Sequence, residues 1–524
     1  MRIDYLKLPD FRNLKGFEID FDESEPTTIV LGRNGSGKSN LIEALVEIFR
    51  DLEKGERSSF PYEIAYLCHG HQVRIFNDPH VKRPFRQWVD GVELTNAEFS
   101  AMHDEVLPKH VFAYYSGWNR RLESGFDGPT RKLYSQWLKN EDGDIPLRRL
   151  FYCRKEYSQL VLLAFFLTRG RGAKKLLRDY LGIKSFDSAL FVLKKPYWRA
   201  SKNPSTLESQ TGDKRFWYAR GAFKHFLDRL WSCALAPIRN DESVDRDIRR
   251  PPQPTERLYL YIKNHEQLEA LSGGDEPKAF FGLLESLFLS DLIDEVRITV
   301  KHERAGRIRF EQLSEGEQQL LTVLGLMLFT QQDESLFLLD EPDTHLNPSW
   351  IYQYYDLLEK HFPKKASQLL IATHNPLMIG SRRKNQVRLL TPDATSDMQK
   401  RTIAREPEED PIGLSVDGLL QSELYGLRST LPTEILGKLD ARNQLLAKKK
   451  RTKNEKDRLR ELSDELAQLG VAITHPNPYF DKFAKAVARN ALFQKPQLTP
   501  NEAKQLSTET DTLLKEILRE EKAS

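Results

Sequence analysis

The stretch Gly32, Arg33, Asn34, Gly35, Ser36, Gly37, Lys38 and Ser39 constrains this chain more than any other part of it. It fits the pattern G-x-x-x-x-G-K-[ST], in which glycines let the backbone curl until its N–H groups point at a common anion. A short β-branched run, Thr27 to Leu31, leads straight into it. Asn40 to Phe49 then follows with apolar residues at helical spacing, Leu41, Ile42, Leu45 and Ile48. Strand, glycine loop and helix without a gap predict a buried strand that delivers the chain to an anion-binding helix N-terminus. A chance glycine turn would not need both flanking elements. The motif therefore assigns Gly32 through Asn40 to the phosphates of ATP, with Lys38 bridging the β and γ phosphates and the Ser39 hydroxyl on Mg2+.

Three further stretches complete a pattern. Ser335 to Leu339 is an apolar strand that ends in Asp340 and Glu341. Asp340 is placed to hold Mg2+ through water, and Glu341 to polarise an attacking water. Leu313-Ser314-Glu315-Gly316-Glu317-Gln318-Gln319 opens a helix over Gly316–Phe329, and a serine and glycine before a helix suit an anion as well as an ordinary N-cap. Thr373-His374-Asn375 follows the strand Leu369–Ala372, where His374 at a strand tip can donate to a γ-phosphate.

In this order the four motifs resemble the ABC-type ATPases of the SMC, RecF and OLD group. Asp340 to Pro348, Ala372 to Pro376 and the opening Leu6–Gly16 with Phe11-Arg12-Asn13 carry the resemblance, over roughly residues 1–120 and 290–395. The resemblance implies that Ser314 and Gly316 contact the γ-phosphate held by another subunit's Lys38. It implies that Thr344 to Asn347 cross the dimer seam and that His374 is the switch histidine. ATP and Mg2+ would be the cofactors and a head-to-tail homodimer the minimum assembly, with higher even numbers left open. One departure stands out: the family's glutamine at a strand end has no counterpart in Tyr114-Tyr115-Ser116-Gly117, so either Ser116 takes its role or the water coordination at Mg2+ differs.

The expected fold class is α/β, an ABC-type phosphate-loop head with a mostly helical insertion and a helical C-terminal region. The divisions are 1–125, an N-terminal ATPase lobe; 126–290, the insertion; 291–400, a lobe with signature, acidic strand and switch histidine; and 401–524, helices for partner or subunit contacts. Residues 2–21 read as a β-hairpin with Ile3 and Tyr5 on one face, Phe17, Ile19 and Phe21 on another, and a turn at Asn13–Gly16. Helices are expected over Tyr157–Thr168, Phe216–Leu235 and Pro277–Leu289, a strand over Ser188–Leu193, and loops at 200–213 and 238–255. Two amphipathic helices are expected around the basic run Lys448–Arg451.

Composition excludes several classes. The 524 residues carry a formal net charge of only +3, so bulk charge does not mark a nucleic-acid binder. The longest apolar run, Leu160 to Leu167, is far short of the roughly 20 residues of a membrane span. The opening MRIDYLKLPDF does not read as a secretory signal. Three scattered cysteines, Cys68, Cys153 and Cys233, suit a reducing, cytoplasmic setting. Cys68-His69-Gly70-His71 lacks the second ligand pair of a metal cluster.

The signature follows Lys38 by roughly 275 residues, too far for a transporter ATPase, and the intervening segment is too short for an SMC coiled coil. No Glu-Gly strand with a later Asp-x-Asp, as in OLD nucleases, follows residue 395. Tyr115 to Leu122 and Leu424 to Ser429 look similar to the ATPase component of Septu anti-phage systems, the PtuA family, also found beside some retrons. That likeness implies an HNH nuclease partner and a sensor role. The competing reading is a RecF-like repair ATPase, for which Arg169–Arg171 with Lys174 and Lys175, Arg382–Lys384 and Lys448–Arg451 would track DNA phosphates.

Overall fold

The computed structural model describes residues 1–116, 126, 148–154, 156–168, 171–196, 204, 206–221, 223–244, 253–329, 334–362, 367–393, 401–448, 450–469 and 499–523. Residues 117–122, 169, 170 and 449, which carry part of the sequence reading, lie outside this set. The chain groups into two compact units, residues 1–30 with 37–373 and residues 31–36 with 374–524.

The first unit opens with the expected hairpin, Arg2–Phe11 against Leu14–Asp20. Its turn comes earlier than expected, at Arg12 and Asn13, because Arg12 takes a left-handed backbone with φ 53°. Phe17, Ile19 and Phe21 are buried together, as their alternation implies. Ile3 and Tyr5 do not share a face. The register against Tyr62–Cys68 shifts between them, and this bulge resets the alternation so that Leu6 and Leu8 join Ile3 in the core. These strands belong to an antiparallel six-stranded sheet that continues through His71–Asn77, Phe85–Val89 and Val92–Leu94.

A second sheet of this unit holds the acidic strand. Ser335–Asp340 runs parallel to His110–Tyr115 on one side and to Ser367–Thr373 on the other. Leu150–Tyr152 extends it beyond His110–Tyr115, and Thr27–Gly32 neighbours Ser367–Thr373. Every position of Thr27–Gly32, Ser335–Asp340 and Ser367–Thr373 is buried. Parallel strands covered on both faces read as continuous apolar runs, which is why these were recognisable. Helix Lys38–Lys54 packs on this sheet and buries Leu41, Ile42, Leu45 and Ile48. In sheets of this kind, chemistry gathers at the C-terminal ends of the strands.

Residues 126–290 depart from the expected mostly helical insertion. Helices Tyr157–Leu167 and Pro277–Leu289 form where spacing placed them, whereas the one expected over Phe216–Leu235 is shorter, Phe223–Cys233, because Trp217 and Tyr218 take left-handed backbone before it. The stretch read as a loop at 238–255 instead contributes strands Leu235–Val244 and Gln253–Ile262, paired antiparallel. With Ile183–Lys194, Ile293–His302 and Gly306–Arg309 they make a five-stranded sheet. Leu235–Val244 is an edge strand with both faces open over residues 235–241, so no apolar alternation betrays it. A buried ion pair of Arg148 with Glu285, joined by the Tyr157 hydroxyl, ties helices Tyr157–Leu167 and Pro277–Leu289 to the strand Leu150–Tyr152.

In the second unit Val387–Pro392 pairs antiparallel with Thr402–Arg405. Helices Thr433–Ala447 and Lys453–Gln468 flank the basic run as expected, and Pro500–Ala523 is a further helix. Among the described residues no helix is long and apolar enough to cross a membrane.

Candidate nucleotide site

Residues 31–36 group with the second unit and Gly37 onward with the first. Within the second unit, Ser36 N–H donates to the Arg33 carbonyl at 3.0 Å, turning the loop, with Gly35 at φ 82°. Arg33, Asn34 and Gly35 are exposed and Ser36 is half-buried. Gly32 is buried, and a Cβ there would lie 2.9 Å from the Leu390 carbonyl, so only glycine fits.

Within the first unit, Gly37 caps helix Lys38–Lys54 at φ 104° and gives it no side-chain hydrogen bond. The first turn carries no acid. A Cβ on Gly37 would meet Leu14 Cδ2 at 2.5 Å. The hairpin tip thus rests on the helix start, and Asn40 Nδ2 donates to Asn13 Oδ1 at 2.5 Å while Arg12 pairs with Glu43. Asn40, expected at the phosphates, spends its amide on this hairpin contact. Gly37 has no side chain to cap the helix, a start that suits phosphate binding.

Asp340 is fully buried at the tip of the acidic strand, opposite Tyr115 and Ala372. Glu341 follows at φ 51°, its N–H donating to the Ala372 carbonyl at 2.8 Å. Burial draws the Lys38 ammonium below the ordinary lysine range, and the carboxylates of Glu341 and Asp340 oppose that fall. Lys38 thus feels the charge of both acids. Ser39, half-buried beside Lys38, and Asp340 offer oxygen atoms alone, the donor set of a hard divalent cation such as Mg2+. These residues fit that ion.

Ser116 N–H donates to the Asp340 carbonyl at 3.3 Å, and its hydroxyl meets Thr344 Oγ1 at 3.1 Å. In place of the glutamine, it ties the end of strand His110–Tyr115 to the loop behind Glu341. Thr344 Oγ1 also donates to the Glu341 carbonyl at 2.9 Å, and Asp343 accepts from Thr373 Oγ1 at 2.9 Å.

The signature helix, Glu315–Phe329, starts with a closed capping box. Ser314 N–H and Oγ donate to Glu317 Oε2 at 2.7 and 2.8 Å, and Glu317 N–H donates back to Ser314 Oγ at 3.3 Å. Ser314 is exposed and Gly316 is buried. A Cβ on Gly316 would lie 2.8 Å from the His345 carbonyl of the same chain, so this glycine admits the loop after the acidic strand. Further along, a Cβ on Gly325 would lie 2.2 Å from Val161 Cγ1, which keys the signature helix to helix Tyr157–Leu167. His374 is exposed in the second unit, just past strand Ser367–Thr373.

Sequence reasoning placed Gln319 in the signature stretch without a role, and it missed both its donation to the Pro342 carbonyl and the Thr373–Asp343 bond. Gln319 sits three residues past Gly316 on the helix face that Gly316 occupies, and that spacing is the signal that marks it. Elsewhere Cys68, His69 and Glu334 bring ligand atoms within 4.8 Å of one another. Burial pushes the Cys68 thiol up, and Glu334 already accepts from the His69 N–H at 2.7 Å, so hydrogen bonding accounts for the group.

A family model described as "AAA domain, putative AbiEii toxin, Type IV TA system" matches residues 27–380. The Septu protein PtuA of Bacillus mycoides is 27% identical over 223 residues, which make up 40% of this chain and 29% of that protein. The DNA replication and repair protein RecF of Lactobacillus acidophilus is 41% identical over 59 residues, 11% of this chain and 15% of that protein. The chain thus spans well under half the length of these curated relatives. Among solved structures, the SMC head domain from Thermotoga maritima aligns over 78% of this chain and 100% of its own, at 13% identity and a TM-score of 0.32.

Proposed function

The chain belongs to that family of AAA domains, and from this premise we propose that it binds and hydrolyses ATP at a site completed by a second copy of itself. The observation that carries the reading is the meeting of Lys38 with Asp340 and Glu341 at the uncapped start of helix Lys38–Lys54. Lys38 and the helix N-terminus neutralise the β and γ phosphates. Ser39 and Asp340 hold Mg2+, which adds charge neutralisation at the phosphates. Glu341 orients and polarises the attacking water, and His374 donates to the γ-phosphate. Ser314 and Gly316 reach the nucleotide held by the partner copy, so two chains enclose two ATP.

On the same reading the protein is the cytoplasmic ATPase of an anti-phage assembly. It senses infection and governs a separate HNH nuclease subunit, with residues 401–524 serving partner or subunit contacts. The Septu similarity supports this. ATP holds the assembly silent, and nucleic acid is the material cut on release. The short RecF match supports the second reading, a repair ATPase that binds DNA itself.

Turnover by purified protein tests the first step. Glu341→Gln is expected to bind ATP without hydrolysing it and to accumulate as closed pairs on a sizing column. Normal turnover by that variant would assign the base elsewhere. Purification from the native host separates the two readings of role. A co-purifying HNH protein favours defence, and salt-sensitive DNA binding by the isolated chain favours repair.

A further inference from the structure

We infer that Gln319 is a positioning residue for Glu341, through which the signature helix of each chain sets the base of that same chain; the inference rests on the ATPase reading. Glu341 stands at φ 51°. A non-glycine residue keeps such a backbone only where its surroundings over-determine it. Pro342 works against it locally, because a proline favours extended backbone in the residue before it. Tertiary contacts must therefore hold Glu341.

Several such contacts lie among the described residues. Glu341 N–H donates to Ala372, and the Glu341 carbonyl accepts from Thr344 Oγ1. Asp343 accepts from Thr373 Oγ1, and the Pro342 carbonyl accepts from Gln319 Nε2. The first and third come from strand Ser367–Thr373, and the second from the loop itself. Gln319 reaches in from the signature helix, whose Glu315 also lies 3.5 Å from His345 Nδ1 in the same loop. Proline has no N–H, so its carbonyl is the one polar handle on that residue.

Gln319 is only 7% exposed, and its Oε1 finds no hydrogen-bond partner. A buried oxygen left unsatisfied is destabilising, and a methionine would fill the same volume without one. Packing alone does not account for a glutamine here, whereas a donor aimed at Pro342 does. One turn earlier, Gly316 lies under the His345 carbonyl. The helix start that reaches the partner's nucleotide thus meets the base loop through Glu315, Gly316 and Gln319. A shift of that helix on engagement moves Pro342 and with it the carboxylate of Glu341.

The test is steady-state and single-turnover hydrolysis by the full-length chain, with ATP affinity by calorimetry and a thermal melt. Gln319→Met is expected to keep affinity and melting temperature while kcat falls by about tenfold to a hundredfold, the scale of a catalytic group displaced by about 1 Å. In a Glu341→Gln background it should cost nothing further, since the group it positions is gone. Gln319→Glu, which keeps the shape and removes the donor, should show the same kcat loss and covers the case in which the methionine variant folds poorly. Unchanged kcat in both variants overturns the inference. So does a loss that tracks the melting temperature and persists undiminished in the Glu341→Gln background. Lys38→Ala runs alongside. If the wild type turns over no faster than that variant, the ATPase reading itself falls; if the wild type is active and Gln319→Met equals it, the positioning role alone falls.

Discussion

Two helices of the first unit begin beside a glycine, Lys38–Lys54 and Glu315–Phe329, and their first turns are built in opposite ways. The phosphate-loop helix has no side-chain cap and no acid in its first turn. The signature helix has Glu315 and Glu317 there, and Glu317 accepts from both the N–H and the hydroxyl of Ser314. The glycines differ too. Gly37 is needed for its φ of 104°, whereas Gly316 is needed because a neighbouring carbonyl lies where a Cβ would be. One helix start is open to an anion within a single chain, and the other is closed by its own carboxylate. On the proposed reading, the second engages only when a partner's phosphate competes with Glu317, which suits a site that should stay idle until two loaded chains meet.

Substitutions at each start can break or sharpen this contrast. Lys38→Ala should abolish ATP binding, read by calorimetry; retained tight binding would deny that the open helix start is the nucleotide cradle. Glu341→Gln should leave binding intact and slow hydrolysis by about 10²–10⁴-fold, the usual contribution of a positioned base. Gly316→Ala should destabilise the fold by about 1–3 kcal/mol, since the His345 carbonyl cannot recede freely. A urea titration checks this, and an unchanged midpoint would mean the loop yields. Glu317→Gln, the mildest change, removes the charge that helps close the signature helix. It should lower stability by about 0.3–1 kcal/mol and tighten ATP-driven pairing about twofold to fivefold. Weaker pairing would mean that Glu317 assists the partner's phosphate instead of competing with it.

What the sequence reveals and hides follows from burial. Ser335 to Leu339 and Thr27 to Leu31 are covered on both faces, so their composition alone marks them as strands. The acids and the lysine follow from motif spacing, and the fold brings them together. Leu235–Val244 was illegible because an edge strand with open faces shows no pattern of period two. The bulge between Ile3 and Tyr5 was hidden for a related reason: one extra residue reverses a face without altering composition. Gln319 stands in the signature stretch, three residues past Gly316, but its partner Pro342 lies twenty-three positions along the chain and is brought to it by the fold.

The central claim is that the open helix start of one chain works with the closed helix start of another, and a mixing experiment tests it most directly. Lys38→Ala and Ser314→Arg proteins should each be inactive alone, one lacking the cradle and the other the partner's contact. Mixed in equal amounts with ATP, they should regain turnover, because a mixed pair joins an intact Lys38 to an intact Ser314 at one of its two sites. A mixture no more active than its separate components would contradict the account.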